Sequence, residues 1–261
     1  MSAYEHIAVT REGPLTIVTI RRPERMNALH APAHFELAAA FDHFAADPDQ
    51  QVAILTGAGD RAFCAGNDLR HQAEGGDMSK PASGFGGLAA RFDLTKPVIA
   101  AVNGVAMGGG FELALACDII VAADHARFAL PEPSVGLLAA AGGVHRLPRA
   151  IGLPRAMGII LTGRHVPAAE GERLGFVTEV TAADALLDRS REWAALILRN
   201  SPAAVRAAKE AALRGLAEES VAAALDAQES YPAVAALRAS PDAKEGAAAF
   251  AAKRPPVWAK G

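Results

Sequence analysis

Three consecutive glycines, Gly108-Gly109-Gly110, stand between an apolar run over residues 97–102 and a short helix-forming stretch that carries Phe111-Glu112-Leu113 and continues to Ala116. A strand that turns into a helix through glycines constrains a chain strongly. The leading N–H groups of the helix stay unpaired, its dipole favours negative charge there, and a ligand can approach backbone that carries no side chains. A second glycine-bearing segment, Phe63-Cys64-Ala65-Gly66-Asn67-Asp68-Leu69, also follows a buried apolar strand, expected over residues 51–56. An N–H from each segment, brought to one point, would hold a carbonyl oxygen as it gains charge. Taken alone, the glycines would equally serve tight strand-to-helix turns.

The remaining pattern is that of an α/β chain. Residues 7–9 and 15–20 read as β-branched strands around the turn Glu12-Gly13-Pro14, and residues 119–122 and 127–129 as further strands. A helix is expected over 33–46, with Phe35, Leu37, Phe41 and Phe44 as its apolar face. The Gly-, Ser- and Pro-rich residues 75–87 read as a loop bordering a ligand. Beyond Gly143 only helices are expected, over 155–162, 168–174, 182–200, 202–213, 218–237 and 242–253. This divides the chain into an α/β core, residues 1–195, and a helical carboxyl-terminal region, residues 196–261.

Composition excludes several classes. A chain of 261 residues with 51% hydrophobic and 21% charged residues can bury a core, which rules out disorder as its main state. A net charge of −3 is not that of a nucleic-acid binder. The 2 cysteines exclude a disulfide framework and fit a reducing compartment. The polar start MSAYEHIAVTREG shows no signal peptide, and no apolar stretch of about 18 residues runs uninterrupted. The expectation is a soluble cytoplasmic protein without membrane or nucleic-acid partners.

Other motifs carry less. Gly57, Gly59 and Ala62 match a dinucleotide fingerprint, but no helix-forming period follows Ala62. His30 and His34 share ligand-like spacing, yet Pro32 lies between them and no third ligand is evident, so they read as a surface helix start with no metal. Cys64 and Cys117 read as small core hydrophobes. Two carboxylates shift the balance toward catalysis. Glu112 lies in the first turn of the glycine-led helix, and Glu132 is held between Pro131 and Pro133. Two glutamates at an apolar cleft can hold one water and act as base and acid.

These residues together resemble the enoyl-CoA hydratase/isomerase (crotonase) superfamily over nearly the whole chain. The resemblance rests on Arg22-Pro23 with Asn27-Ala28-Leu29, on the Phe63 to Leu69 segment, and on Lys96-Pro97 through Asn103-Gly104. It continues through Gly108 to Leu113, Cys117-Asp118, Phe128 to Glu132, Gly142-Gly143, and Phe250 with Lys253-Arg254. It implies the α/β ClpP/crotonase-like fold: repeated ββα units in two sheets, a carboxyl-terminal helical trimerisation region, and a homotrimer or a dimer of trimers. By position it implies backbone N–H groups of Asn67 and Gly109 as the oxyanion hole and Glu112 and Glu132 as the hydratase glutamates. The substrate would be an acyl-CoA thioester, with coenzyme A part of the substrate and no separate cofactor. Arg25, Met26, Ala28, Ala65, Asn67, Asp68, Leu69, Arg70, Gly109, Phe250 and Lys253 would meet it.

The implied reaction is reversible syn addition of water to a 2-enoyl-CoA. The alternatives are a carnitinyl-CoA dehydratase-like activity or a Δ3-Δ2 isomerase, then a thioester hydrolase or decarboxylase, a non-catalytic CoA-binding member and, more distantly, a nucleotide-dependent oxidoreductase. Asn67 stands where the family commonly has Ala, residues 137–141 (LLAAA) replace a segment usually bearing Pro and Gly, and Pro133 is uncommon after the second glutamate. The tail from Gly246 to Trp258 is similar to the carnitinyl-CoA dehydratase branch.

Overall fold

The computed structural model describes residues 4–259; the first three residues of the polar start and the last two of the carboxyl-terminal region lie outside the described residues. β1 (Ile7–Glu12) and β2 (Leu15–Ile20) form the expected hairpin, with Glu12 paired to Leu15 so that Gly13 and Pro14 make the turn. α1 (Ala31–Ala46) follows. The chain then repeats one plan. β3 (Val52–Gly57) and β4 (Ala62–Cys64) lead to α2 (Leu69–Ala73), and β5 (Val98–Val102) and β6 (Val105–Met107) to α3 (Gly109–Leu115). β7 (Ile119–Ala123) and β8 (Arg127–Ala129) lead through a 3-10 turn, Glu132–Val135, to α4 (Gly143–Ile151).

Each pair sends its first strand to one sheet and its second to the other. With β9 (Val166–Pro167) and β10 (Glu179–Thr181) the large sheet has the order β1-β2-β3-β5-β7-β10, and the small one β4-β6-β8-β9. All neighbours in the large sheet are parallel except β1 and β2, and in the small sheet all except β8 and β9. β5 is buried at every residue, as expected of a parallel strand covered on both faces. Those are the ββα units and the two sheets that the resemblance implied.

α5 (Leu153–Ile160) and α6 (Ala168–Leu174) follow, and α7 (Leu186–Leu198) packs on β3, β5 and β7. α8 (Pro202–Gly215), α9 (Val221–Ala227), α10 (Pro232–Ala239) and α11 (Asp242–Ala251) pack on one another. Glu210 accepts from the Ala233 N–H at 2.6 Å, fixing α10 on α8. Lys209 ties this region to the sheet by donating to Lys96 O at 3.0 Å and pairing with Asp118 at 2.7 Å. The division between residues 195 and 196 falls inside α7.

Several expectations need correction. The single helix over 218–237 is broken, because Pro232 cannot continue a ladder and holds Tyr231 extended, so α10 starts afresh with Pro232 in its first turn. The short strands β4, β6, β9 and β10 and the helices α2 and α4 were not expected, since two- and three-residue strands show no period. Phe35 is 48% exposed rather than part of the α1 apolar face, which is made by Leu37, Phe41, Phe44 and small alanines. His30 and His34 do not make a surface helix start, being 8% and 0% exposed.

Candidate active site

β4, β6 and β8 are parallel neighbours, and their carboxyl ends present the site. That is where open parallel sheets receive ligands. β4 ends before Gly66-Asn67, β6 before Gly108-Gly109, and β8 before Leu130-Pro131-Glu132. The first two turns touch: a methyl group on Gly66 would lie 2.8 Å from Met107 O and 3.2 Å from the Gly109 nitrogen. Any side chain at Gly110 would overlap the Cys64 carbonyl.

Leu29 pairs with Asn67 as an isolated parallel bridge. Leu29 donates to Gly66 O at 2.8 Å and Asp68 donates to Leu29 O at 2.9 Å, which turns the Asn67 N–H away from Leu29. Neither the Asn67 nor the Gly109 N–H meets a backbone acceptor among the described residues. Both are therefore available as donors, as the oxyanion hole needs. The Asn67 Oδ1 is buried and without a partner.

Glu112 projects from the first turn of α3 and is 3% exposed. Its Oε1 accepts the Gly143 N–H at 2.8 Å. Burial pushes its pKa up to about 7; the Gly143 N–H opposes that, the nearby Glu132 adds to it, and Arg146 opposes it. Glu132 opens the 3-10 turn, its Oε2 buried without a partner, and burial raises its pKa as well. A methyl group on Gly108 would stand 2.8 Å from Glu132 Oε1 and one on Gly143 3.1 Å from Glu112 Oε1, so glycine backbone lies against both carboxyls. Burial raises the proton affinity of both carboxyls and Glu132 adds to that of Glu112, which favours a state with one carboxyl protonated and the other ionised. Such a pair can both take a proton from water and give one to carbon.

Residues not expected from the sequence support this arrangement. Phe85 packs against the Gly109 backbone and edge-on to His34, with ring centroids 4.6 Å apart. His34 Nδ1 accepts the Gly86 N–H at 3.0 Å. Burial, with Lys80 and His30 nearby, lowers the His34 pKa to about 3, so the ring is neutral and an acceptor at physiological pH. The loop expected beside a ligand thus ends in a buried anchor. Histidines 6, 30 and 71 make edge-on ring contacts, but no group of three or more His, Cys, Asp or Glu among the described residues is placed to hold a metal.

Around the Gly66 turn, Met26 O accepts the Ala65 N–H at 3.0 Å, while Ala28 O accepts from the Arg22 guanidinium. Asp68 is 4% exposed, pairs with Arg22 at 2.9 Å and caps α2 through the His71 N–H at 3.1 Å. Its carboxylate is a buried structural anchor, not a free ligand contact. Arg25, Leu69 and Arg70 are exposed near that turn. Phe250, 87% exposed, and Lys253 stand at the end of α11, and no hydrogen bond, ion pair or ring contact joins them to the glutamates among the described residues. Gly57 to Ala62 link β3 to β4 with no helix between, held by Asn27 and Asn103 side chains, so the dinucleotide fingerprint has no helix to aim. Cys64 is fully buried, its thiol pKa pushed up to about 12 by burial.

Comparison with known proteins gives a consistent picture. The family model described as Enoyl-CoA hydratase/isomerase matches residues 10–261. A carnitinyl-CoA dehydratase of Citrobacter koseri is 44% identical, covering 97% of this chain and 98% of its own. That of Salmonella arizonae is 45% identical with the same coverage. Among solved structures, an enoyl-CoA hydratase from Mycobacterium tuberculosis superposes with a TM-score of 0.91 at 39% identity, over 98% of this chain and 99% of that one. One from Bacillus anthracis gives 0.88 at 35% identity, over 98% and 100%.

Proposed function

The chain belongs to the enoyl-CoA hydratase/isomerase family and has the crotonase fold, and from that premise we propose that it is a hydro-lyase adding water reversibly to a 2-enoyl-CoA thioester. The observation that carries this reading is the pair of carboxyls, buried Glu112 and half-buried Glu132 with its Oε2 enclosed, beside two unpaired backbone N–H groups. In this reading the thioester oxygen is held by the N–H groups of Asn67 and Gly109, which stabilise it as an enolate oxyanion. The ionised carboxyl of the pair takes a proton from water, whose oxygen bonds to the β-carbon. The protonated carboxyl gives its proton to the α-carbon, and the carbonyl re-forms. The pair ends with one proton, as it began, so the steps balance and run equally in reverse as dehydration. No other cofactor enters.

Dehydration of a polar 3-hydroxyacyl thioester, as the relatives' name carnitinyl-CoA dehydratase indicates for them, is the second reading. It is favoured by those relatives and by the unpartnered Asn67 Oδ1, which would suit an acyl group bearing a polar substituent. We also take Arg25, Arg70 and Lys253 as cationic partners for CoA phosphates. Phe250 and Lys253 would reach the site from a neighbouring subunit of a trimer or a pair of trimers. Cys64 and Cys117 are free thiols and no helix among the described residues is long and apolar enough to cross a membrane, which supports the cytoplasmic location proposed.

The test is direct. Crotonyl-CoA should lose its conjugated-thioester absorbance in the presence of the protein, or carnitinyl-CoA should gain it, and Glu132→Gln should abolish either change. A protein that binds such thioesters and changes none of them would overturn the assignment.

A further inference from the structure

Arg146 lies on α4, near the Gly143 whose N–H reaches Glu112. It is half-buried, and no carboxylate stands within ion-pair distance of it among the described residues. Its Nη2 donates to Ala89 O at 2.7 Å and its Nη1 to Ala141 O at 3.2 Å, while the guanidinium lies 5.8 Å from the Phe92 ring centroid. One side chain therefore bridges two segments that border the site. Residues 85–92 carry Phe85, which packs on Gly109, and residues 139–143 carry the donor to Glu112.

An arginine is suited to this place. Its planar fork can bond two carbonyls at once and its charge persists when partly buried. The groups facing Glu112 are Glu132 from the turn after β8, the N–H groups of Ala141 and Gly143, and Arg146 itself. The Cys117 thiol past the end of α3, its pKa raised by burial, also faces Arg146.

We propose that Arg146 is a positioning residue for the reaction: it holds residues 85–92 against residues 139–143, keeping the Gly143 N–H on Glu112, and sets an unneutralised positive charge behind that carboxylate. The proposal rests on the hydro-lyase reading, and its test separates the two.

The variants are Arg146→Met and Arg146→Lys. The readouts are kcat, KM and the pH profile on a thioester that the wild type converts, together with the carboxyl 13C titration of Glu112, assigned by its loss in Glu112→Gln. Arg146→Met should lower kcat by about 10- to 100-fold with KM changed far less, the size of effect expected when a catalytic group is displaced by about 1 Å. Its Glu112 titration and the acid limb of its pH profile should move to higher pH. Arg146→Lys should leave the titration near the wild-type position while kcat stays reduced, because an ammonium keeps the charge but cannot fork to both carbonyls. A folded Arg146→Met with wild-type kcat and an unmoved titration overturns the proposal. So does lost turnover in both variants with an unmoved titration in Arg146→Met, which marks a purely structural role. If Arg146→Met fails to fold, Arg146→Lys decides, and wild-type kcat in it overturns the proposal. If the wild type converts no thioester, the hydro-lyase reading fails, and the titrations still report whether Arg146 acts on Glu112.

Discussion

The backbone N–H of Gly143 donates to Glu112 Oε1 at 2.8 Å, so the first free donor of α4 is committed to a buried carboxylate. Burial favours the protonated acid while the donor favours the anion, and the pKa settles at about 7 against an ordinary value of 4.5. The folded protein thus holds this proton more tightly than the unfolded chain does. Glu112 favours folding below pH 4.5 and loses that contribution as pH rises through about 7. Glu112→Gln, neutral throughout, should be more stable than wild type at pH 8 by up to roughly 3 kcal/mol, with the gap shrinking toward pH 5. Denaturant melts at both pH values check this; a gap independent of pH would contradict it.

Glu112→Gln and Glu132→Gln should each lower turnover of the enoyl thioester by about 10²-fold or more, the usual size of one acid–base contribution, with KM altered much less. A chelator should leave the wild-type rate unchanged. An isomerase working through one carboxylate would survive Glu132→Gln, so near-normal turnover in that variant on a β,γ-unsaturated thioester would redirect the assignment.

His34→Phe should keep most of the packing against Phe85 but leave the Gly86 N–H without its acceptor. The expected cost is about 1–3 kcal/mol of stability. Because Phe85 lies on the Gly109 backbone, kcat should fall more than KM rises. Unchanged kinetics in a destabilised variant would confine His34 to the fold.

Asp68→Ala should destabilise the protein by about 3–5 kcal/mol, because it leaves Arg22 charged and buried alone and removes the cap of α2. Burial opposes ionisation of Asp68, but the His71 N–H and the Arg22 guanidinium outweigh it and hold its pKa below the ordinary value. Its contribution is present above pH 3.8 and lost as pH falls below that. Equal stability of variant and wild type at pH 7 would refute the anchor role.

What could be read from the chain itself followed from range. Glu112 lies two residues beyond its glycines and Glu132 lies between two prolines, so local chemistry marks both. The 3.6-residue period marks α1 and α8 in the same way. His34, Phe85 and Arg146 carry no such mark. Their contacts span 51 residues from His34 to Phe85 and 57 from Arg146 to Ala89, distances that only the folded sheets close. β4 and β6 leave no mark in the sequence because three residues are too few to display alternation. The break at Pro232 was legible, since a proline inside a long apolar period ends it, and the expected helix over 218–237 ran through it wrongly.

The order of the small sheet works as a ruler. Adjacent strands stand about 4.8 Å apart, so the turns after β4, β6 and β8 follow one another across the site at about that spacing. A thioester gripped between the first two strand ends would lay its acyl chain crosswise, toward the third. The stretch after Glu132, where Val135, Leu137 and Leu138 stand exposed, follows that third strand end.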